Sequence, residues 1–386
     1  MLSPVVAWFA IAIAIAIADG AGADGPSGWT QPERALLASL SLDALPPPPP
    51  DPGNPAGDRP AAARLGKRLF FEPGLSASGK FACASCHSPS RGFSDGLATS
   101  RGVHVARRNA PSLLDVAFVR ALFWDGRADS LWSQALLTIE SPAEMGGERG
   151  AAVARVAADP ALKALYREAF GGDPAARPID RVFADLGKAL AAYQRTLRSK
   201  PTRFDRYVAA VLAGREDEAA KALTPAEVSG LRVFMGGAAG CATCHLGPLF
   251  SDGRFHNIGT GDLGLPTEDP GWARGREELL ASEWNCRSRW FERAREDACA
   301  HLSRPQGEEN SILSRGAFRT PGLRGLRATA PYMHDGRHAT LRDVVAHYLR
   351  PPDKSRLIHE LPDSLSLSEA EVADLIRFLH ALSPEL

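Results

Sequence analysis

Two short phrases limit what this chain can become: Cys83, Cys86 and His87 in "CASCH", and Cys241, Cys244 and His245 in "CATCH". In C-x-x-C-H, both thiols can add to the vinyl groups of a haem while the next imidazole reaches the iron on the same face. A zinc site could use the same residue types, but each phrase would lack a fourth ligand. The pattern predicts two covalently bound haem c groups, with His87 and His245 as proximal ligands.

Each phrase belongs to a longer repeat. A Gly-Leu-containing helical lead precedes it, Leu65-Gly66 and then Gly230-Leu231, and a Phe-Ser-Asp-Gly turn follows, Phe93 to Gly96 and then Phe250 to Gly253. Between and around them the apolar spacing is helical. Ile179, Val182, Phe183, Leu186, Leu190, Tyr193 and Leu197 recur every three or four residues, which predicts an amphipathic helix. Thr224 with Pro225 and Glu227, and Ser368 with Glu371, read as capping boxes. No convincing alternating run argues for a strand. The expected fold is mainly α, with two cytochrome c-like haem domains from an internal duplication, residues 61–200 and 201–386. Residues 24–60 form a proline-rich lead-in, extended over 45–60. Residues 267–314 have no counterpart in the first half and read as a large surface insertion.

The N-terminus sets the compartment. An apolar run from Pro4 to Ala18 is followed by Ala16-Ile17-Ala18 and Ala21-Gly22-Ala23, which reads as a secretory signal over residues 1–23 and places the mature chain in the periplasm. The run is shorter than the roughly 20 residues that span a bilayer, so no stable membrane insertion is expected. Beyond the haem motifs only Cys286 and Cys299 remain of the 6 cysteines. In an exported chain they read as a disulfide, the other reading being two buried free thiols. With 45 basic and 45 acidic residues, no global field argues for nucleic acid.

Four separated stretches, "LGKRLFFEPGLSASGKFACASCH", "RRNAPSLLDVAFVRALFWDGRADSLWSQAL", "SPAEMG" and "FRTPGLRGLRATAPYMHDGRHATLRDVVAHY", resemble in order and spacing the bacterial di-haem cytochrome c peroxidase and MauG superfamily. The resemblance covers most of residues 60–382. It implies that Trp124 relays electrons between the haems, and that Gln134 and Glu144 form the polar pair where peroxide meets the N-terminal haem. Glu144 would move a proton between the peroxide oxygens as their bond breaks. Taken alone, it would read as a solvated loop carboxylate. The resemblance also implies a calcium ion held by Asn109, Thr329 and Pro331, the last two through backbone carbonyls.

Two positions separate branches of this superfamily. Its peroxidases carry a histidine eight residues before the position of Asn109, and here that residue is Arg101; nearby His104 reads as a surface residue. They also place a methionine on the C-terminal haem where this chain has Tyr348, and MauG-type enzymes use a tyrosine there. A phenolate favours oxidised iron and a thioether reduced iron. His347, Met333 and Met235 are the other candidates for that ligand. The tyrosine also resembles the MbnH-type branch, which oxidises a tryptophan on a copper-binding partner. The resemblance therefore implies an enzyme that forms a high-valent state over both haems with hydrogen peroxide and oxidises aromatic residues of an exported protein. The alternative is a peroxidase fed by a small cytochrome c or copper protein; a third reading is a di-haem electron carrier. MauG's surface tryptophan before the second haem motif is Ala239 here, while the insertion offers Trp272, Trp284 and Trp290, each read chiefly as a packing anchor.

Overall fold

Capping signals written into the sequence set where the helices begin. The computed structural model describes residues 28–51, 53–261, 269–292, 299–303, 314–350, 360–361 and 365–385, so the signal segment 1–23 lies outside the described residues. These residues form α1 (Gln31–Leu40), α2 (Pro60–Phe70), α3 (Cys83–Cys86), α4 (Leu131–Glu140), α5 (Arg149–Ala158), α6 (Pro160–Phe170) and α7 (Ile179–Gln194). The chain continues as α8 (Arg203–Leu212), α9 (Glu216–Ala222), α10 (Pro225–Met235), α11 (Trp272–Ala281), α12 (Ala300–Ser303), α13 (Leu341–Leu349) and α14 (Glu369–Ala381). One antiparallel pair, β1 (Phe255–His256) with β2 (Phe318–Arg319), is the sheet among the described residues. The fold is mainly helical, and no described helix is long and apolar enough to cross a membrane.

The expected capping boxes form: Thr224 Oγ1 accepts from Glu227 N at 3.3 Å while Glu227 Oε2 accepts from Thr224 N at 2.9 Å, and Ser368 with Glu371 repeats the exchange at α14. The same device starts α1, a helix that the proline-rich lead-in did not suggest. Thr30 and Glu33 cap it, and Trp29, Leu37 and Leu40 are fully buried, with Trp29 Nε1 donating to Tyr207 Oη at 2.7 Å.

Two separate cores result. The first draws on α2, α4, α5, α6 and α7, the second on α1, α8, α9, α10, α13 and α14. In each, the helix that leads into a C-x-x-C-H crosses another helix at one glycine. A Cβ on Gly66 would lie 1.8 Å from the Ala189 carbonyl oxygen on α7, and one on Gly230 would lie 2.0 Å from that of Asp374 on α14. Any side chain at either crossing would force the helices apart. Along α7 the predicted face is buried from Val182 to Leu197, but Ile179, in the first turn, is half exposed.

The insertion keeps an exposed face but is anchored by buried side chains. It springs from the β1–β2 pair, and its described residues lie across the first core with Trp284 and Cys286 buried while Arg274, Glu283 and Arg289 are exposed. Trp284 is 1 % exposed, its ring centroid 6.3 Å from that of Trp132 and 5.8 Å from that of Phe183. Lys188 Nζ reaches the Trp290 carbonyl at 2.6 Å, and Cys286 N donates to Asp129 Oδ2 at 2.8 Å. Cys286 and Cys299 are joined as a disulfide. The physical reason is apolar area: Trp272 and Trp284 carry large indoles that water would otherwise have to cover. Trp284→Ala should destabilise the holoprotein by about 3–5 kcal/mol, the usual cost of emptying a tryptophan site. Denaturant unfolding would read this, and a change within about 0.5 kcal/mol would mark a superficial contact.

Candidate functional site

Both histidines of the C-x-x-C-H phrases are aimed in the same way. His87 N and His245 N close a helical turn on the carbonyls of Cys83 and Cys241, each at 2.9 Å. His87 Nδ1 then donates to the Phe93 carbonyl, and His245 Nδ1 to that of Phe250, again at 2.9 Å. A carbonyl only accepts, so each ring keeps its proton on Nδ1 and leaves Nε2 free for a metal. To turn their carbonyls inwards, Phe93 and Phe250 adopt φ of 59° and 56°, a region bulky residues avoid. This is what the repeated Phe-Ser-Asp-Gly turn does. Burial lowers the proton affinity of both imidazoles, which favours the neutral, ligating form.

Between the two phrases runs one cavity of about 2080 Å³, well above the roughly 300–1,000 Å³ of an ordinary ligand pocket. Cys83, Cys86, His87, Asn109, Trp124, Gln134, Glu144, Cys241, Cys244, His245, Thr329, Pro331 and Tyr348 all line it. Arg101 and His104 are exposed and outside the lining; Met235 is half-buried and also outside it.

The two halves meet across this cavity through matched bonds. Asn109 N donates to the His334 carbonyl at 2.7 Å, and Arg319 N donates to the Trp124 carbonyl at 2.9 Å. Trp124 Nε1 returns to the Asn109 carbonyl at 2.9 Å, which fixes the indole on the seam. Asn109 Nδ2 is spent on the Leu97 carbonyl at 2.7 Å, leaving Oδ1 as its uncommitted oxygen.

Several oxygens of the cavity wall lack partners among the described residues, Ser100 Oγ and Gln194 Oε1 among them, and two belong to expected site residues. Tyr348 Oη makes no hydrogen bond among the described residues, and burial beside Cys241 and Cys244 raises its phenol's proton affinity. Neighbouring His347 is committed elsewhere, its Nε2 lying 2.7 Å from the Ile258 carbonyl. Glu144 Oε2 is likewise buried without a partner, and burial holds the Glu144 carboxyl above its ordinary range against the pull of Arg127, 4.0 Å away. Gln134 Nε2 is tied back to Thr138 Oγ1 at 2.9 Å.

Sequence reasoning overlooked several charged groups here. Arg319 faces the cavity with carbonyl oxygens as its partners, Phe123 O at 3.4 Å and Thr320 O at 3.3 Å, and burial lowers its pKa to about 10. Such a cation calls for an anion, and a bound haem would supply one in its propionates. Asp125 and Arg127 were visible in the repeated Asp-Gly-Arg of "FWDGRA" and "MHDGRH". His334 precedes the second Asp-Gly-Arg as Trp124 precedes the first, and it stacks on Phe318 at 3.6 Å, its pKa lowered by burial to about 4.

Residues 60–211 match the family model for di-haem cytochrome c peroxidase. The methylamine utilization protein MauG of Methylorubrum extorquens is 36% identical over 329 residues, 84% of this chain and 79% of its own. The chain belongs to the di-haem cytochrome c peroxidase family. Cytochrome-c peroxidase IdrP1 of Denitromonas iodatirespirans is also 36% identical, over 89% of this chain and 86% of its own. Among solved structures, a MauG-like protein associated with microbial copper homeostasis aligns with a TM-score of 0.66 and 28% identity, over 88% of this chain and 95% of that one.

Membership makes this chain a peroxide-dependent haem oxidoreductase with two haems. Its own residues fit that load: paired thiols, two imidazoles with free Nε2 atoms, and a buried guanidinium awaiting an acid. Arg319→Gln should lower the midpoint potential of at least one haem, because a positive charge that disfavours oxidised iron is lost. Coulomb's law at about 10 Å and an effective dielectric near 20 gives about 1–2 kcal/mol, or tens of millivolts. A spectroscopic redox titration reads it, and unmoved potentials would show that the guanidinium is satisfied elsewhere.

Proposed function

We propose that this chain is a periplasmic enzyme that draws oxidising equivalents from hydrogen peroxide and spends them on aromatic residues of a partner protein. Its two cytochrome c-like domains, residues 61–200 and 201–386, descend from one duplicated unit. The matched positive φ of Phe93 and Phe250, Asp115 and Gly325, and Phe123 and Met333 supports that descent, as do the glycine crossings of α2 with α7 and α10 with α14. Cys83 and Cys86 attach one haem c under His87, and Cys241 and Cys244 attach the other under His245. When bound, the haems supply the iron at which peroxide is cleaved and store the two equivalents until the partner's electrons arrive.

The protein's residues handle protons and orientation. Gln134 lines the cavity with its Nε2 held by Thr138, and would offer its second amide hydrogen to the incoming peroxide. Glu144 Oε2 takes the proton from the inner peroxide oxygen and returns it to the outer one, so that water leaves; its raised proton affinity suits both halves of that task. Trp124, pinned to Asn109, lies on the seam that electrons cross. Asn109 Oδ1 with the carbonyls of Thr329 and Pro331 offers the all-oxygen set that calcium prefers.

The observation that carries this reading over an electron-fed peroxidase is Tyr348. Its hydroxyl faces the cavity unpartnered, beside the second pair of thiols, while His347 is committed to a backbone carbonyl. A phenolate on that iron favours the oxidised states that a peroxide-charged enzyme must hold. One equivalent of peroxide added to the fully oxidised protein, without reductant, should change the spectra of both haems in one kinetic phase. A reaction that waits until one haem is reduced would instead establish the electron-fed peroxidase. Glu144→Gln should slow the same reaction by roughly 10²–10⁴-fold with both haems retained, and Tyr348→Phe should alter the C-terminal haem spectrum alone.

A further inference from the structure

The insertion reaches the peroxide site through a line of charges. Asp269, just before α11, grips Arg108 with both oxygens: Arg108 Nε donates to Oδ2 and Nη2 to Oδ1, each at 2.7 Å. Gly271 N steadies that carboxylate from below at 3.0 Å. Arg108 Nη1 meets Asp125 Oδ2 at 2.5 Å, and Asp125 in turn accepts Arg127 Nη1 at 3.0 and 3.2 Å. Arg127 sits with its guanidinium 3.5 Å from the Phe123 ring centre, so its remaining arm, Nη2, is the one turned to Glu144 at 4.0 Å. The side chains of this line are 3 to 22 % exposed, so water screens them weakly.

We infer that Asp269 is a positioning residue for the peroxide site: by engaging Arg108 it fixes how strongly Asp125 holds Arg127, and so how much positive charge Glu144 meets. This rests on the acid–base role given to Glu144 above. The groups facing Glu144 come from every element around it. Its own loop supplies Ser141, the 122–128 turn supplies Asp125 and Arg127, and Arg108 approaches from the 100–108 hairpin. That hairpin otherwise offers backbone, Val103 N donating to the Glu144 carbonyl at 2.8 Å, while its Arg101, His104 and Arg107 are exposed. Cys86 faces it from α3 and, as a thioether, carries no charge; Gln134 on α4 is neutral.

The sign is the same by every route. Asp269→Asn removes a negative charge, leaves Arg108 to neutralise Asp125 more fully, and frees Arg127 for Glu144. Each lowers the proton affinity of Glu144. Arg108→Gln does the reverse, since Asp269 then loses its cation and Asp125 keeps Arg127 as its remaining one, drawing it from Glu144. The test is the pH profile of the bimolecular reaction of the oxidised holoprotein with hydrogen peroxide, together with the infrared C=O band of the protonated Glu144 carboxyl. Asp269→Asn should move both midpoints to lower pH by about 0.5–1 unit, a size set by Coulomb's law at an effective dielectric near 20. Arg108→Gln should move them higher, and Asp269→Glu should restore the wild-type profile. If Glu144→Gln abolishes the inflection but Asp269→Asn leaves it in place, the positioning role is overturned while the acid–base role stands. If Glu144→Gln leaves the inflection, the acid–base role falls, and this inference with it.

Discussion

Everything at the centre of this molecule depends on two backbone hydrogen bonds, Asn109 N to the His334 carbonyl and Arg319 N to that of Trp124. They join halves that otherwise bury separate cores. Matched residues lie at the two ends: Asn109 and Arg319 each precede by two the proline, Pro111 or Pro321, whose carbonyl also approaches the local histidine. The seam therefore carries the His87 and His245 imidazoles with it. Moving one half would move its histidine, and would pull Trp124 off the Asn109 carbonyl that orients its indole.

Strain is stored beside this seam rather than in it. Phe93, Phe123 and Phe250 hold positive φ, a conformation costing of order 1–3 kcal/mol each. Two of the three turn carbonyls onto histidine Nδ1 atoms. Such strain persists because the rings are packed: Phe250 is fully buried among Phe204, Phe234 and Phe378. The core is thus the anvil against which the site is shaped, and a mutation in it should be felt as a misaimed imidazole before it is felt as unfolding.

Local signals were legible and distant ones were not. C-x-x-C-H, the Phe-Ser-Asp-Gly turns and the capping boxes at Thr224 and Ser368 act within a few residues, so spacing suffices to read them. The box at Thr30 and Glu33 was equally local, and was obscured by the prolines after it. Trp284 was different. Its partners Trp132 and Phe183 stand a hundred residues or more away in the chain, and no periodicity near Trp284 announces them. A lone arginine such as Arg319 carries no pattern either; its meaning comes from the carboxylate it lacks. The site residues reached through family resemblance do share one cavity, yet the charged line behind them, from Asp269 to Arg127, joins residues more than 140 positions apart and leaves no local pattern.

The insertion gives the seam a second fastening. It leaves the second half at β1 and returns at β2, whose Arg319 makes one of the two central bonds. In between it packs Trp284 into the first core, lays Gly275 directly against the Asp125 carbonyl, and ties Glu283 to Arg149 and Glu292 to Arg181. A hinge opening at the seam would have to extract that tryptophan as well as break the two central backbone hydrogen bonds. Because a buried indole is worth several times a single net hydrogen bond, the insertion and not the seam sets the resistance to opening, while the seam sets the register. Asp269 sits where these two functions meet. It belongs to the clamp, but the guanidinium it grips stands next to Asn109, so the element that locks the halves together also reaches the charges around Glu144.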